Sequence, residues 1–164
     1  MTQSIASLNT HWALLLVWTL AFLEACPGIG LFITGALLLA TATSLYTNGV
    51  VELPHIMFFA FLGASISDHL GYYIGRWLGP RFHHSRFARK YHERVEQAEA
   101  LFQKHGATAI VIGRLVPAIR SMTPLFTGIS GLSKTRFSLV DLFACGVWAL
   151  GLGTLASGIT LALN

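Results

Sequence analysis

The sequence predicts an all-α, polytopic integral membrane protein, one membrane domain over residues 1–164, with two opposed re-entrant helical hairpins and full transmembrane helices. Three observations carry this prediction. The chain is 54% hydrophobic and only 11% charged, with a mean hydropathy of +0.62, whereas a soluble domain carries about 25% charged residues. Its apolar residues fall in long runs separated by short breaks, the pattern of bilayer-embedded helices. One run, Ala107 to Leu132, holds two arginines and two prolines, and another ends at a glutamate followed closely by a proline, which a plain membrane-crossing helix avoids.

Five apolar stretches follow in order. The first, Trp12 to Leu23, ends at Glu24-Ala25-Cys26-Pro27-Gly28. Its 12 residues would reach about 18 Å as a helix, short of the ~30 Å hydrocarbon core. The second, Ile29 to Leu45, returns from that break, so residues 12–45 are expected to form the first hairpin. The third, Pro54 to Gly79, is long enough to cross, with Pro54 suited to a first helical turn. The fourth, Ala107 to Leu132, holds Arg114, Pro117, Arg120 and Pro124. The fifth, Phe137 to Leu163, is a second full crossing.

Residues 80–106 are the one soluble-looking stretch. Six basic residues lie between Arg81 and Lys104. Glu93, Glu96 and Glu99 early, an apolar face of Val95, Ala98, Leu101 and Phe102, and Gly106 at the end fit an amphipathic helix on the cytoplasmic surface; a solvated connector is the alternative. Lys134 and Arg136 make the linker after the fourth run basic as well. Basic flanks mark the cytoplasmic side, so the run between them is expected to enter and leave by the same face, with Pro117 and Pro124 as its break. Non-helical backbone at that depth must be buried in protein or line a wet cavity. An offset of 90 residues places Glu24 on Arg114, Pro27 on Pro117 and Gly63 on Gly153, the trace that an inverted repeat would leave. Residue identity across this offset is near chance.

The candidate functional residues are the charges in these runs. An arginine at the centre of a bilayer costs roughly 2.5–3.5 kcal/mol on insertion scales, so it is seldom there without a role. Arginine forks match phosphate oxygens, which makes Arg114 and Arg120 candidates for an anionic headgroup. Their alternative role is as counter-ions to Glu24 and Asp68. Glu24, at the first break, is a candidate proton carrier; the alternatives are neutralisation by Arg114 or Arg120, or capping of a half-helix. Asp68 stands eleven residues before Gly79, about 16 Å into the third run. With Tyr72 and Arg76 it forms a polar stripe at i, i+4, i+8, either joining the proton pathway or locking the bundle through an arginine. Small residues at Gly63, Ser67, Gly71, Gly75 and Gly79 are expected to let another helix approach.

Other features carry less. Cys26 and Cys145 read as reduced, packed thiols. His83, His84, His92 and His105 are expected to face water or headgroups, and His55 and His69 are uninformative alone. Asp141, near the start of the last span, is expected to reach the interface. The N-terminus has no Lys or Arg through Thr10, unlike the basic start of a secretory signal, so the first run is expected to stay in the mature chain. No cofactor, metal site or nucleic-acid partner is expected: the chain shows no triad, Walker loop or dinucleotide fingerprint.

Three blocks of the sequence resemble the DedA family, also called SNARE-associated or VTT-domain membrane proteins. They are Phe22-Leu23-Glu24-Ala25-Cys26-Pro27-Gly28 running on to Ala36; Gly63-Ala64-Ser65-Ile66-Ser67-Asp68 with Tyr72 or Tyr73, Gly75-Arg76 and Gly79; and Gly113-Arg114, Pro117, Arg120, Pro124 and Gly128. The resemblance spans about Phe22 to Phe137. It implies opposed re-entrant hairpins, a bacterial cytoplasmic-membrane location and proton-coupled or facilitated movement of a lipid. The lipid would be undecaprenyl phosphate or a phospholipid. It also implies functional roles for Glu24, Asp68, Arg114 and Arg120. One departure stands out: Thr34-Gly35-Ala36 replaces the family's usual Pro-Gly-acid, so the second hairpin acid is missing. The expected function is therefore a lipid flippase rather than an enzyme, with an anionic lipid and protons as partners and a homo-oligomer compatible with the sequence. The rival expectations are a membrane-embedded lipid phosphatase and an ion or small-solute transporter.

Overall fold

The computed structural model describes residues 2–32, 35–79, 93, 100, 108–115 and 120–163. Every regular element among the described residues is helical. Helix α1 (Thr2–Ala25) leads to a 3-10 turn at Ile29–Leu31 and then α2 (Gly35–Thr47). Next come α3 (Leu53–Leu78), α4 (Thr108–Leu115), a second 3-10 turn at Arg120–Met122, α5 (Thr123–Ile129) and α6 (Lys134–Leu163). The expected amphipathic segment over 80–106 and the break residue Pro117 lie outside the described residues.

Helix α1 begins well before the apolar run that announced it. Its 24 residues make it about 36 Å long rather than 18 Å. The polar residues near the N-terminus do not interrupt it, because they include neither proline nor glycine. The breakers come at the other end. Proline at 27 has no N–H to donate, and Gly28 adopts φ +87°, a left-handed conformation that favours glycine. The 3-10 turn follows at once, and Gly30 N–H donates to Cys26 O at 2.9 Å.

Helix α3 is the hub. Glu52 and Pro54 start it, and Gly79, at φ +46°, ends it. It packs against α1, α5 and α6. The glycines of the small-residue stripe take different neighbours. A Cβ on Gly63 would run into the Trp18 carbonyl of α1, and one on Gly75 into the Leu125 carbonyl of α5. At Gly71 it would meet Pro27 Cγ at 2.8 Å and Pro124 Cβ at 3.4 Å. Prolines from the two broken runs thus converge on one glycine of α3.

The core has two main parts. Val17, Ala21, Leu38, Ala42, Ile56, Ala60 and Leu152 fill the space between α1, α2, α3 and α6. Tyr72, Ile110, Met122, Leu125, Phe126 and Phe137 fill the other end. There the Tyr72 and Phe137 rings stack at 4.3 Å, and Tyr72 donates its hydroxyl to Leu132 O at 2.6 Å.

The outer surface is strongly apolar. Trp12, Phe32, Trp77, Leu139 and Phe143 are all exposed, as suits a wall facing lipid chains. Helix α6 is long and apolar enough over Lys134–Ala162 to cross a membrane; Thr10–Ala25 and Gly35–Thr47 are shorter apolar helices. Helix α3, expected as a crossing over 54–79, has 26 residues and a length of about 39 Å. Its Asp68, His69 and Arg76 make it less apolar than α6.

Candidate functional site

The two helix breaks meet. The first 3-10 turn touches the second, and α1 touches the second as well. A Cβ on Gly30 would lie 2.8 Å from Ser121 Cβ, so the absence of a side chain there lets the two breaks close up. At this junction Arg120 Nη1 lies 2.7 Å from Glu24 Oε1. Glu24 is 4% exposed, and its second oxygen, Oε2, has no hydrogen-bond partner among the described residues. The Arg120 guanidinium carbon lies 5.0 Å from the centre of the Trp148 ring of α6, a cation–π contact that holds it from the other side.

Helix α2 contributes to the same place. Gly35, its first residue, is so close to Glu24 that a Cβ there would lie 2.7 Å from Oε1. The carboxylate therefore sits against the positive end of a helix dipole. Ala36, the next residue, points elsewhere. It lines a groove of about 480 Å³ between α2 and α6, with Thr43, Thr47 and Ile159.

A second polar cluster lies between α3 and α6. Asp68 is buried, as its depth in α3 anticipated. Facing it are Asp141 and Cys145, both at 0% exposure. Asp141 thus does not reach the interface as expected, because α6 turns that residue inward onto α3. Cys145 Sγ donates to Asp68 Oδ2 at 3.5 Å and to Asp141 Oδ2 at 3.9 Å. Ligand atoms of the three residues lie within 4.8 Å of one another. His69 Nδ1 is 3.6 Å from Asp141 Oδ2. The stripe continues as expected: Tyr72 is buried, and Arg76 Nη1 donates to its hydroxyl at 3.0 Å.

Of the residues singled out in the sequence, the structure brings Glu24, Arg120, Pro27 and Pro124 to the junction. Asp68 is placed in a separate cluster. Arg114 lies on α4, which packs against α5 and α6, beside a buried Gly113 that abuts Thr123; its side chain lies outside the described positions. Sequence reasoning assigned Asp141, Cys145 and His69 to no site and did not single out Trp148. Three of them stand on α6 at i, i+4 and i+7 from Asp141, a shared helical face that was available to be read. Both cysteines are free thiols, as expected, with Cys145 buried and Cys26 half-buried.

Comparison with known proteins places these features in a family. The VTT domain model matches residues 26–157. The inner membrane protein YqjA of Escherichia coli is 32% identical over 143 residues, covering 85% of this chain and 64% of YqjA. The inner membrane protein YabI of Escherichia coli is 28% identical over 144 residues, covering 85% of this chain and 55% of YabI. The chain thus spans less than two thirds of the length of these relatives. No solved structure matches it. The domain match over most of the length, and the 32% identity to YqjA across 85% of this chain, establish that the chain belongs to the VTT-domain (DedA) family of membrane proteins.

Proposed function

We propose that the chain moves the phosphate-bearing headgroup of a lipid, undecaprenyl phosphate or a phospholipid, across the bacterial inner membrane, with protons coupled to the movement. The observation that carries this reading is the Glu24–Arg120 pair at the meeting point of two helix breaks, with one carboxylate oxygen without a hydrogen-bond partner among the described residues. A headgroup phosphate offers Arg120 a better-matched, bidentate partner than a single carboxylate oxygen does. Once displaced, Glu24 would be a lone buried charge, and taking up a proton removes that cost. Substrate binding and proton uptake are then linked at one residue. Arg114, six positions before Arg120, supplies the second cation for the phosphate, and Asp68 takes part in the relay. The lipid tail stays in the bilayer while the headgroup passes between the hairpin tips.

In this reading the chain is a multi-pass protein of the inner membrane, the location that the names of YqjA and YabI give for those proteins. Residues 12–45 and 107–132 act as two opposed re-entrant hairpins related by an inverted repeat. Convergence of Pro27 and Pro124 on Gly71 supports that pairing. With Ala36 in place of an acid, proton coupling rests on Glu24 without a second hairpin carboxylate.

The direct test is headgroup movement in proteoliposomes. Wild-type chain is expected to accelerate transfer of a phosphate-bearing lipid between leaflets, and Arg114→Ala and Arg120→Ala to abolish it. Unchanged transfer in both variants, with the fold intact, would remove the proposed roles. Release of inorganic phosphate would identify a lipid phosphatase instead, and ion flux without lipid transfer an ion pathway. Topology is checked separately by labelling single cysteines at Ser85 and Ser133. Both are expected to react from the cytoplasmic side; reaction from opposite sides would eliminate the second re-entrant hairpin.

A further inference from the structure

We propose that the end of the bundle where α3 stops and α6 begins holds an anionic phospholipid by its phosphate, at a site separate from the Glu24–Arg120 junction, with Arg76 and Lys134 as the binding cations. Arg76 stands in the last turn of α3, and Lys134 opens α6. Both are exposed, and neither pairs with a carboxylate among the described residues. The first turn of α6 contains no acidic residue, so the helix dipole adds to this positive end rather than being offset there. Helix α6 is long and apolar enough to cross a membrane from Lys134 onward, which puts this end at the membrane surface.

Arg76 is already set for a phosphate. Its Nη1 donates to the Tyr72 hydroxyl at 3.0 Å and to Leu132 O at 3.4 Å, and the Tyr72 hydroxyl donates in turn to Leu132 O at 2.6 Å. These bonds fix the guanidinium and occupy one of its nitrogens. The N–H groups of Nη2 and Nε make no hydrogen bond among the described residues. They form one edge of the planar fork, which two phosphate oxygens match. A guanidinium held in place beforehand loses little further freedom on binding.

The surroundings fit a lipid rather than a soluble anion. Tyr73 stands at i−3 from Arg76, and Trp77 at i+4 from Tyr73, so the three are neighbours on the surface of α3. Lys134 Nζ lies 5.4 Å from the centre of the Tyr73 ring, which brings the second cation to the same side. Tyr73 and Trp77 are exposed, as are Leu70 and Ile66 further back along this side of the helix. Tyrosine and tryptophan favour the headgroup level of a bilayer. A bound lipid would set its phosphate between Arg76 and Lys134, its glycerol backbone against the two rings and its acyl chains along Leu70 and Ile66. A phosphate ion would leave that apolar strip unused.

This site does not rest on the transport reading, and its binding is measured without transfer. The full chain is purified in detergent and titrated with phosphatidylglycerol or phosphatidylcholine, and bound lipid is counted by native mass spectrometry. Phosphatidylglycerol is expected to bind more tightly than phosphatidylcholine. Lys134→Gln, a change at an exposed position, is expected to weaken it about fivefold, as for the loss of one cation at an anionic membrane surface. Arg76→Lys keeps the charge without the fork and is expected to weaken it too. Arg136→Gln is the control. It removes the same charge from an exposed position two residues further on, where a helix presents roughly its opposite side, and is expected to leave the affinity unchanged. Equal losses from Lys134→Gln and Arg136→Gln would mean diffuse attraction and overturn the site. Phosphatidylglycerol that binds without responding to Lys134→Gln would lie elsewhere, such as at the Glu24–Arg120 junction, and overturn it as well. So would equal binding of the two lipids, or displacement of the lipid by inorganic phosphate at the same concentration. Lys134-dependent binding in a protein that moves no lipid would keep the site and remove the transport reading.

Discussion

Arg120→Ala is expected to destabilise the protein by about 3–5 kcal/mol, the range for removing one partner of a buried ion pair. Glu24 is 4% exposed and its Oε1 has Arg120 at 2.7 Å. Without the guanidinium, the carboxylate keeps the cost of leaving water and loses the attraction that offset it. The variant also gives up the contact with Trp148. A second substitution tests the cause. Glu24→Gln in the Arg120→Ala background is expected to recover a large part of the loss, since it removes the stranded charge. Thermal unfolding in detergent measures both. If Arg120→Ala unfolds within about 0.5 kcal/mol of the wild type, as a neutral surface change would, the pair is not a structural support at the junction. Arg120→Lys is expected to hold the fold better than Ala yet to lose lipid transfer, because an ammonium lacks the planar fork that grips a phosphate.

Gly75→Ala is the second large effect. A Cβ at that position would overlap the Leu125 carbonyl of α5. Backbone cannot swing aside as the end of a side chain can, so α3 and α5 would have to separate. Overpacking of this kind costs about 1–3 kcal/mol or more. The contact is reciprocal: a Cβ on Gly128 of α5 would run into the Tyr72 carbonyl of α3. Loss of stability is expected to come with loss of lipid transfer, because α5 follows directly on the turn that carries Arg120. Gly146→Ala supplies the contrast. It lies in the interior of α6 with nothing within 4 Å of its Cβ position. It is expected to stabilise the helix by about 0.5–1 kcal/mol, since alanine loses less backbone freedom on folding. Equal outcomes for the two alanines, read by unfolding in detergent, would contradict the close α3–α5 approach.

Much of this architecture was legible in the chain because its signals are local. Pro27 and Gly28 end a helix by their own backbone chemistry, and the structure breaks there. The glycines of α3 announced a close approach, and three other segments approach them. The extent of α1 was not legible in the same way. Apolarity marks where a helix is buried in hydrocarbon, whereas helix length depends on where a breaker next occurs, and residues 2–11 contain none.

The functional charges divide along the same line. The sequence by itself determined that Glu24, Asp68, Arg114 and Arg120 stand in or beside apolar runs, and that prolines stand close to Glu24, Arg114 and Arg120. Those facts depend on residue type and spacing alone. Partnership was decided only by the tertiary structure. It set Glu24 against Arg120 rather than leaving both arginines as equal candidates. It turned Asp141 inward to face Asp68, and brought Trp148 and Cys145 onto the two sites from a helix that had seemed a plain crossing. The physical reason is rotation: a helix presents each residue at an angle fixed by packing over its whole length. An α6 apolar on nearly every side does not reveal in its own sequence which face α3 will receive.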